Sequence, residues 1–423
     1  MNNFTHKFKL VLADPGLRNR ILFVLGALVL FRLGTAIPVP GVNAAALERF
    51  FAGNQFLGLL NVFSGGGLSN LSIFMLGVGP FITGSIIMQL LTIMFPTLKR
   101  LYQEEGEAGR RKFTQYSRLI TVPLAVLQGL ALLALLQSQG VLLPLGFAAK
   151  LVTVVTITAG SVLLMWIGEL ISEYGIGNGV SLLILAGILA RLPTDVSQAL
   201  VNFEPSQVPL YLAFLVVSLI VIAGVVLVTE AERPIPVTYA KRVRGNKVYG
   251  GMSTYLPLRL NQAGVMPIIF ALSILLFPQM IANFLTKSSI AWLQNISGWV
   301  LAFLNNAWLY GAAYFLLIFV FTYFYSAITF DPESVSTNLQ KNGAFVPGIR
   351  PGLPTAEYIA RVLYRLTFVG AVFLAIVALL PLVMRAVTGL ASLAIGGTAL
   401  LIVVSVALEF MKQVNAQLSM REY

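Results

Sequence analysis

Long apolar runs alternate along this chain with short polar or basic stretches. Runs long enough to cross about 30 Å of hydrocarbon fall near 21–37, 71–95, 119–136, 150–168, 177–192, 210–229, 264–284, 308–328, 366–384 and 394–411. They predict ten transmembrane helices. Two of the runs carry the same Gly-Val-x-Pro pattern: Gly77-Val78-Gly79-Pro80, and Gly264-Val265-Met266-Pro267 followed by Ile268-Ile269. Gly and Pro at such places loosen helical hydrogen bonding. Two halves with a Gly/Pro-interrupted span at matching positions suggest inverted repeats around a pathway. The expected fold is an all-α membrane protein of two pseudo-symmetric five-helix halves. Residues 21–192 hold spans one to five and residues 193–411 hold spans six to ten, flanked by 1–20 and 412–423.

Composition supports this. The chain has 423 residues, of which 57% are hydrophobic and 10% charged, where soluble proteins carry about 25% charged residues. The net charge is +12, and its placement is asymmetric. With the N-terminus cytoplasmic, 22 of the 28 Lys and Arg fall in cytoplasmic segments. The six external ones are Arg32, Arg49, Lys150, Arg191, Lys287 and Arg385. The positive-inside rule then puts both ends in the cytoplasm. Residues 1–20 read as an amphipathic interfacial helix, with Phe4, Phe8 and Val11 against Lys7 and Lys9. His6 reads as solvated. No cleavable leader is expected, because the first apolar run leads into more chain.

The connections are uneven. Residues 38–70 form a long external link in which Gly65-Gly66-Gly67 cannot hold a rigid helix. Val62, Phe63, Leu68 and Leu71 are apolar, so this stretch either folds back into a cavity or is a loop with a hydrophobic anchor. Between 96 and 118, EEGEAGRRK reads as a solvated charged face. Glycines at 175, 177 and 179 flank the short fifth span, and Asn178 at that depth needs a partner, expected across a helix interface. Residues 230–263 read as a basic β-hairpin with Gly245-Asn246 as its turn. Residues 329–365 are rich in Gly and Pro around Arg350. Both loops are longer than topology requires.

Several chemistries are excluded. There is no Cys and one His, so there is no His-Cys metal cluster and no HExxH; no Walker A sequence occurs. No base accompanies Ser64, and no paired Asp lies within a span. No enzymatic activity and no cofactor is expected. All sixteen Asp and Glu lie in loops or at span ends, which counts against an ion-coupled secondary transporter with inverted repeats. Sodium sites built from backbone carbonyls keep that alternative open. A scaffold-like insertase with no through-pore is a third reading.

Motifs spread along the chain resemble the SecY family, the central subunit of the bacterial protein-conducting channel. They are FSGGGLSNLSIF (63–74), GPFITGSIIMQLL (79–91), GEAGRRKFTQYSR (106–118), GIGNGVSLLI (175–184), VTYAKR (237–242), QAGVMPIIFA (262–271), NGAFVPGIRPG (342–352) and GGTALLIVV (396–404). The resemblance implies a clamshell around an hourglass pore. Its waist would be a ring of aliphatic side chains: Val78, Ile82, Val180, Ile184, Ile269 and Ile402. Valine at 78 and 180 departs from the family's usual isoleucine. A plug is implied at Val62, Phe63, Ser64, Gly65, Gly66, Gly67, Leu68, Ser69 and Asn70, within 61–70. A lateral gate is implied between spans 2 and 3 and spans 7 and 8, with Gln89 along it. Lys241, Arg242, Arg244, Lys247 and Arg350 would dock the SecA motor or the ribosome. The implied partners are small membrane subunits of the SecE and SecG type, signal sequences, unfolded polypeptides and the lipid bilayer. The implied location is the bacterial inner membrane.

Overall fold

The computed structural model describes residues 14–39, 61, 64–103, 105–138, 140–142, 146–201, 208–239, 242–244, 247–249, 253–286, 290–388 and 391–419. Of the interfacial helix expected over 1–20, residues 1–13, with His6, lie outside them, as does the turn at Gly245-Asn246; residues 15–20 instead begin the first long helix, capped by Asp14. The first half contains α1 (Pro15–Thr35), α2 (Gly79–Met94), α3 (Pro96–Gln103), α4 (Gly106–Ser138), α5 (Phe147–Tyr174) and α6 (Gly179–Val201). The second half contains α7 (Val208–Glu230), α8 (Met266–Leu285), α9 (Ala291–Asn305), α10 (Ala307–Thr329), α11 (Pro332–Lys341), α12 (Leu353–Thr388) and α13 (Ala391–Ser419).

Each of the ten apolar runs carries a helix. Among the described residues, seven helices are long and apolar enough to cross a membrane. An eighth arises if α2 and α3, bent by 117° at Phe95, count as one span. The remaining runs fall on α1, which carries Arg18, Arg20 and Arg32, and on α6, whose apolar part is the short Gly179–Thr194. The second run is shorter as a helix than its hydropathy suggests. Residues 71–78 form turns and α2 starts at Gly79. Gly77 sits at φ +59, a left-handed conformation that stops a helix from beginning earlier.

The same device recurs in the other half. Gly264 sits at φ +61, and α8 starts two residues later with Pro267 in its first turn. Proline fits there because its missing N–H would have no intrahelical acceptor anyway. In the first turns, the Ile82 N–H donates to Val78 O (3.0 Å) and the Ile269 N–H donates to Val265 O (3.3 Å). The repeat read from four letters is thus also a repeat of backbone conformation.

The halves meet where α8 packs on α2 and α4, and where α13 packs on α6. One continuous apolar core runs through both halves. Two ion pairs tie helix ends: Arg118 to Glu169 at 2.8 Å, joining α4 to α5, and Lys412 to Glu230 at 3.0 Å, joining α13 to α7.

The two large loops form one body instead of two. Strand β1 (Glu232–Tyr239) pairs antiparallel with β4 (Ser253–Arg259), and β5 (Ala344–Phe345) from the second loop adds to the other edge of β1 at Thr238 and Tyr239. Beyond them, β2 (Arg242–Arg244) and β3 (Lys247–Tyr249) pair in a distal hairpin, with Arg244 opposite Lys247. Pro234 and Pro236 lie where β5 leaves β1 an open edge, which tolerates a missing N–H. Ile235, Leu258, Val346 and Ile359 form a separate small core beneath this sheet.

Candidate functional site

The six aliphatic positions all face the protein interior. Val78, Ile82, Ile184, Ile269 and Ile402 are all buried members of the one apolar core, and half-buried Val180 packs against it. Val78 is the N-cap of α2 and not a helical residue, so it reaches the core from the turn ahead of the helix. The positions come from α2, α6, α8 and α13, two helices from each half. Burial of an aliphatic side chain contributes about 1.5–3 kcal/mol, so these residues help hold the halves together.

Asn178, expected to bond across a helix interface, instead caps its own helix. Its Oδ1 accepts from the Ser181 N–H at 3.1 Å, and its carbonyl accepts from the Leu182 N–H at 3.0 Å. An asparagine before a helix satisfies orphan N–H groups locally, which is cheaper than finding a distant partner. The Gly179 N–H donates to Ser172 Oγ at 2.9 Å, closing the α5–α6 corner.

The glycine-rich segment folds inward. Ser64, Gly65, Gly66, Gly67 and Leu68 are buried, Ser69 is half-buried and Asn70 is exposed; Val62 and Phe63 lie outside the described residues. Its backbone is held by its own side chains. The Ser64 Oγ accepts from the Leu68 N–H (2.9 Å), and Asn61 Oδ1 accepts from the Ser69 N–H (2.9 Å). Ser69 Oγ donates to Gly66 O (2.7 Å). The segment is stitched to α1 and its exit: Asn70 Nδ2 donates to Thr35 O, the Val39 N–H to Leu71 O, and the Ile73 N–H to Ile37 O. Gly65, at φ +62, lies so close to α1 and α6 that a side chain would collide with Phe31 and crowd Gly187. On the far side, Ser161 of α5 donates to Gly77 O at 2.9 Å. Leu68 and Leu71 belong to the same core as the six aliphatics.

Beside this junction lies a cleft between the halves. It is lined by Gly79 and Thr83 of α2, Gln128 of α4, and Ser273, Leu276, Phe277 and Met280 of α8. Thr83, Gln128 and Ser273 are buried polar side chains on helices that pack on each other. The sequence reading singled out Gln89 and missed these three. Each is a polar residue inside an apolar run, Thr83 three and Ser273 six residues after the proline of its Gly-Val-x-Pro start. That was the available signal. Gln89 is half-buried, and its Oε1 has no hydrogen-bond partner among the described residues.

The basic positions divide. Arg350 is exposed at the tip of a braced loop. Its carbonyl accepts from Thr355 Oγ1 (2.8 Å), and the Gly352 carbonyl accepts from buried Ser336 Oγ (2.6 Å). Gly348 and Gly352 sit at φ +82 and +96, so the tight turns around Arg350 need glycine. Arg242, Arg244 and Lys247 stand on the distal hairpin. Lys241 lies outside the described residues.

Two helical halves that share one apolar core, with a buried glycine-rich loop in it and, among the described residues, seven or eight helices long enough to cross a membrane, define a polytopic membrane protein. A sequence model of the SecY family matches residues 72–411. The chain is 44% identical to the protein translocase subunit SecY of Corynebacterium glutamicum, covering 97% of each chain. It is 43% identical to the subunit of the same name from Synechocystis sp., over 96% of this chain and 93% of that one. Among solved structures it matches one described as a protein conducting channel, at TM-score 0.62 and 19% identity, covering 93% and 91% of the two chains. It also matches Sec61 in a canine ribosome-channel complex at TM-score 0.60 and 19% identity, with the same coverage. The chain belongs to the SecY family.

Proposed function

We infer that this chain passes unfolded secretory polypeptides across the bacterial inner membrane and releases hydrophobic segments sideways into the bilayer. Both termini are cytoplasmic in this reading, and the sheet-bearing loops face the cytoplasm. The observation that supports it is that Val78, Ile82, Ile184, Ile269 and Ile402, drawn from both halves, belong to one buried core, with Val180 packed against it. A constriction of aliphatic side chains resists ions by dewetting. Residues 61–70 serve as the plug and rest against it in the closed state.

Opening parts α2 and α4 from α8 and α10. Each Leu, Ile or Phe placed at the bilayer centre gains roughly 0.3–0.6 kcal/mol, and a charged residue loses about 2.5–3.5. A run of about ten to fifteen apolar residues thus supplies several kcal/mol to hold the seam apart. Thr83, Gln128 and Ser273, with Gln89, set how easily the seam yields.

The chain acts as a conduit and not a catalyst, so the driving force comes from a partner. Arg350, with Lys241, Arg242, Arg244 and Lys247, forms the docking face for a SecA-type motor or a ribosome, whose RNA the same charge attracts. SecE- and SecG-type subunits complete the complex. The test is the pair Ile82→Asn and Ile402→Asn in planar bilayers. Ion leak is expected to rise and signal-sequence selectivity to relax; unchanged conductance would overturn the assignment of the waist.

A further inference from the structure

Hydropathy leaves 285–307 as a plain external connection, yet α9 occupies most of it and joins α8 to α10. Successive side chains on a helix turn by about 100°. On that wheel, Leu293, Ser297, Val300 and Leu304 form one stripe, and these are the residues turned toward the protein: Ser297 and Leu304 are buried, Leu293 and Val300 half-buried. Next to it runs a second apolar stripe of Trp292, Ile296, Trp299 and Phe303, and this one is bare. Their exposures are 61%, 51%, 81% and 38%. Ala291, Gln294, Asn295, Gly298, half-buried Leu301, Ala302 and Asn305 fill the remaining arc. The helix therefore has three faces: one on protein, one mostly polar, and one apolar with none of the described residues over it.

We propose that α9 is an interfacial helix, lying in the plane of the outer leaflet with Trp292, Ile296, Trp299 and Phe303 set into the headgroup–acyl boundary. Tryptophan favours that layer, where its ring is solvated at one edge and buried at the other. The bare stripe continues a surface that is already lipid-facing. Trp308, at the first turn of α10, is 86% exposed, and Leu316 and Val320 further along that helix are 60% and 50% exposed. Three of the chain's four tryptophans lie within these 17 residues. Residues 291–305 contain no charged side chain, so the contact rests on apolar burial and not on attraction to anionic lipid. Because α9 follows α8 directly, it fixes the depth of that helix's outer end.

The proposal is independent of what passes through the channel and is tested without a transport assay. The chain has no native cysteine, so single spin labels can be placed at Ile296→Cys and Gly298→Cys; open space surrounds the latter's Cβ position. The protein, with the subunits that co-purify, is reconstituted into phosphatidylcholine vesicles with and without phosphatidylglycerol. Collision rates with oxygen and with a water-soluble nickel chelate report depth. At 296, the oxygen-to-nickel ratio should exceed that at 298 by several-fold, and equally in both vesicles. Water-type ratios at both positions would overturn the proposal. So would shielding of 296 from both reagents, which means a protein covers the stripe, or a membrane signal present only with the anionic lipid.

Discussion

The buried loop meets α6 glycine on glycine, at Gly65 and Gly187. A Cβ at Gly187 would collide with the Gly65 Cα and press on its N and C atoms at 3.2 and 3.3 Å. The atoms struck are backbone, so no side chain can swing away. Gly187→Ala therefore acts on the loop, while α6 itself gains about 0.8–1.0 kcal/mol of helix propensity. Overpacking of a tight contact costs about 1–3 kcal/mol. At 1.4 kcal/mol per factor of ten, the ratio of docked to displaced loop should fall roughly 5- to 150-fold. Leu68, fully buried beside the glycines, provides the reporter. In a Leu68→Cys background, modification by a membrane-impermeant maleimide added outside should accelerate by that factor when Gly187→Ala is introduced, and ion leak should rise with it. Gly26→Ala, where nothing lies within 4 Å of the added atom, should change neither. If Gly187→Ala labels and leaks like its parent, the loop does not depend on that contact and the reasoning fails.

Other outcomes follow from the same geometry. Arg350→Glu should impair motor- or ribosome-driven translocation while the complex still assembles, read by co-purification beside a transport assay; normal transport would remove Arg350 from the docking face. Thr355→Val removes the hydroxyl that braces the Arg350 carbonyl and should weaken the same transport less than Arg350→Glu does. Gln89→Leu relieves a buried acceptor without a partner, a defect of about 1–3 kcal/mol, and should make the seam harder to part. Weakly hydrophobic signal sequences should then lose transport while strong ones keep it. Asn178→Ala deletes the α6 cap and should cost about 0.5–2 kcal/mol, measured as a lower melting temperature of the purified chain in detergent.

Much of the fold was legible because a bilayer imposes length and hydropathy on every crossing. The ten runs each found a helix, and the Gly-Val-x-Pro starts showed as matched breaks in periodicity. Contacts between distant residues were less visible. Gly65 and Gly187 are 122 positions apart in the chain, and nothing about either glycine alone names the other. Helix α9 was hidden because its 15 residues are too short for a span and carry two adjacent apolar stripes. The union of the two large loops was missed because β5 is only two residues long, below any strand signal. Thr83, Gln128 and Ser273 were overlooked because one polar residue in an apolar run resembles ordinary helix-to-helix bonding until the opposing helix is known.

That small three-stranded sheet has a mechanical meaning. Strand β1 continues from α7 through Ala231, and β4 leads within seven residues into α8, the helix on the seam. The linker is short and braced: the Leu260 N–H donates to Ala231 O at 2.9 Å, and Asn261 Nδ2 donates to Gly264 O at 3.1 Å. A load applied to this sheet is thus carried to the roots of both α7 and α8. A pull on the loops reaches two transmembrane helices at once, through backbone and without any contact to the apolar core between the halves.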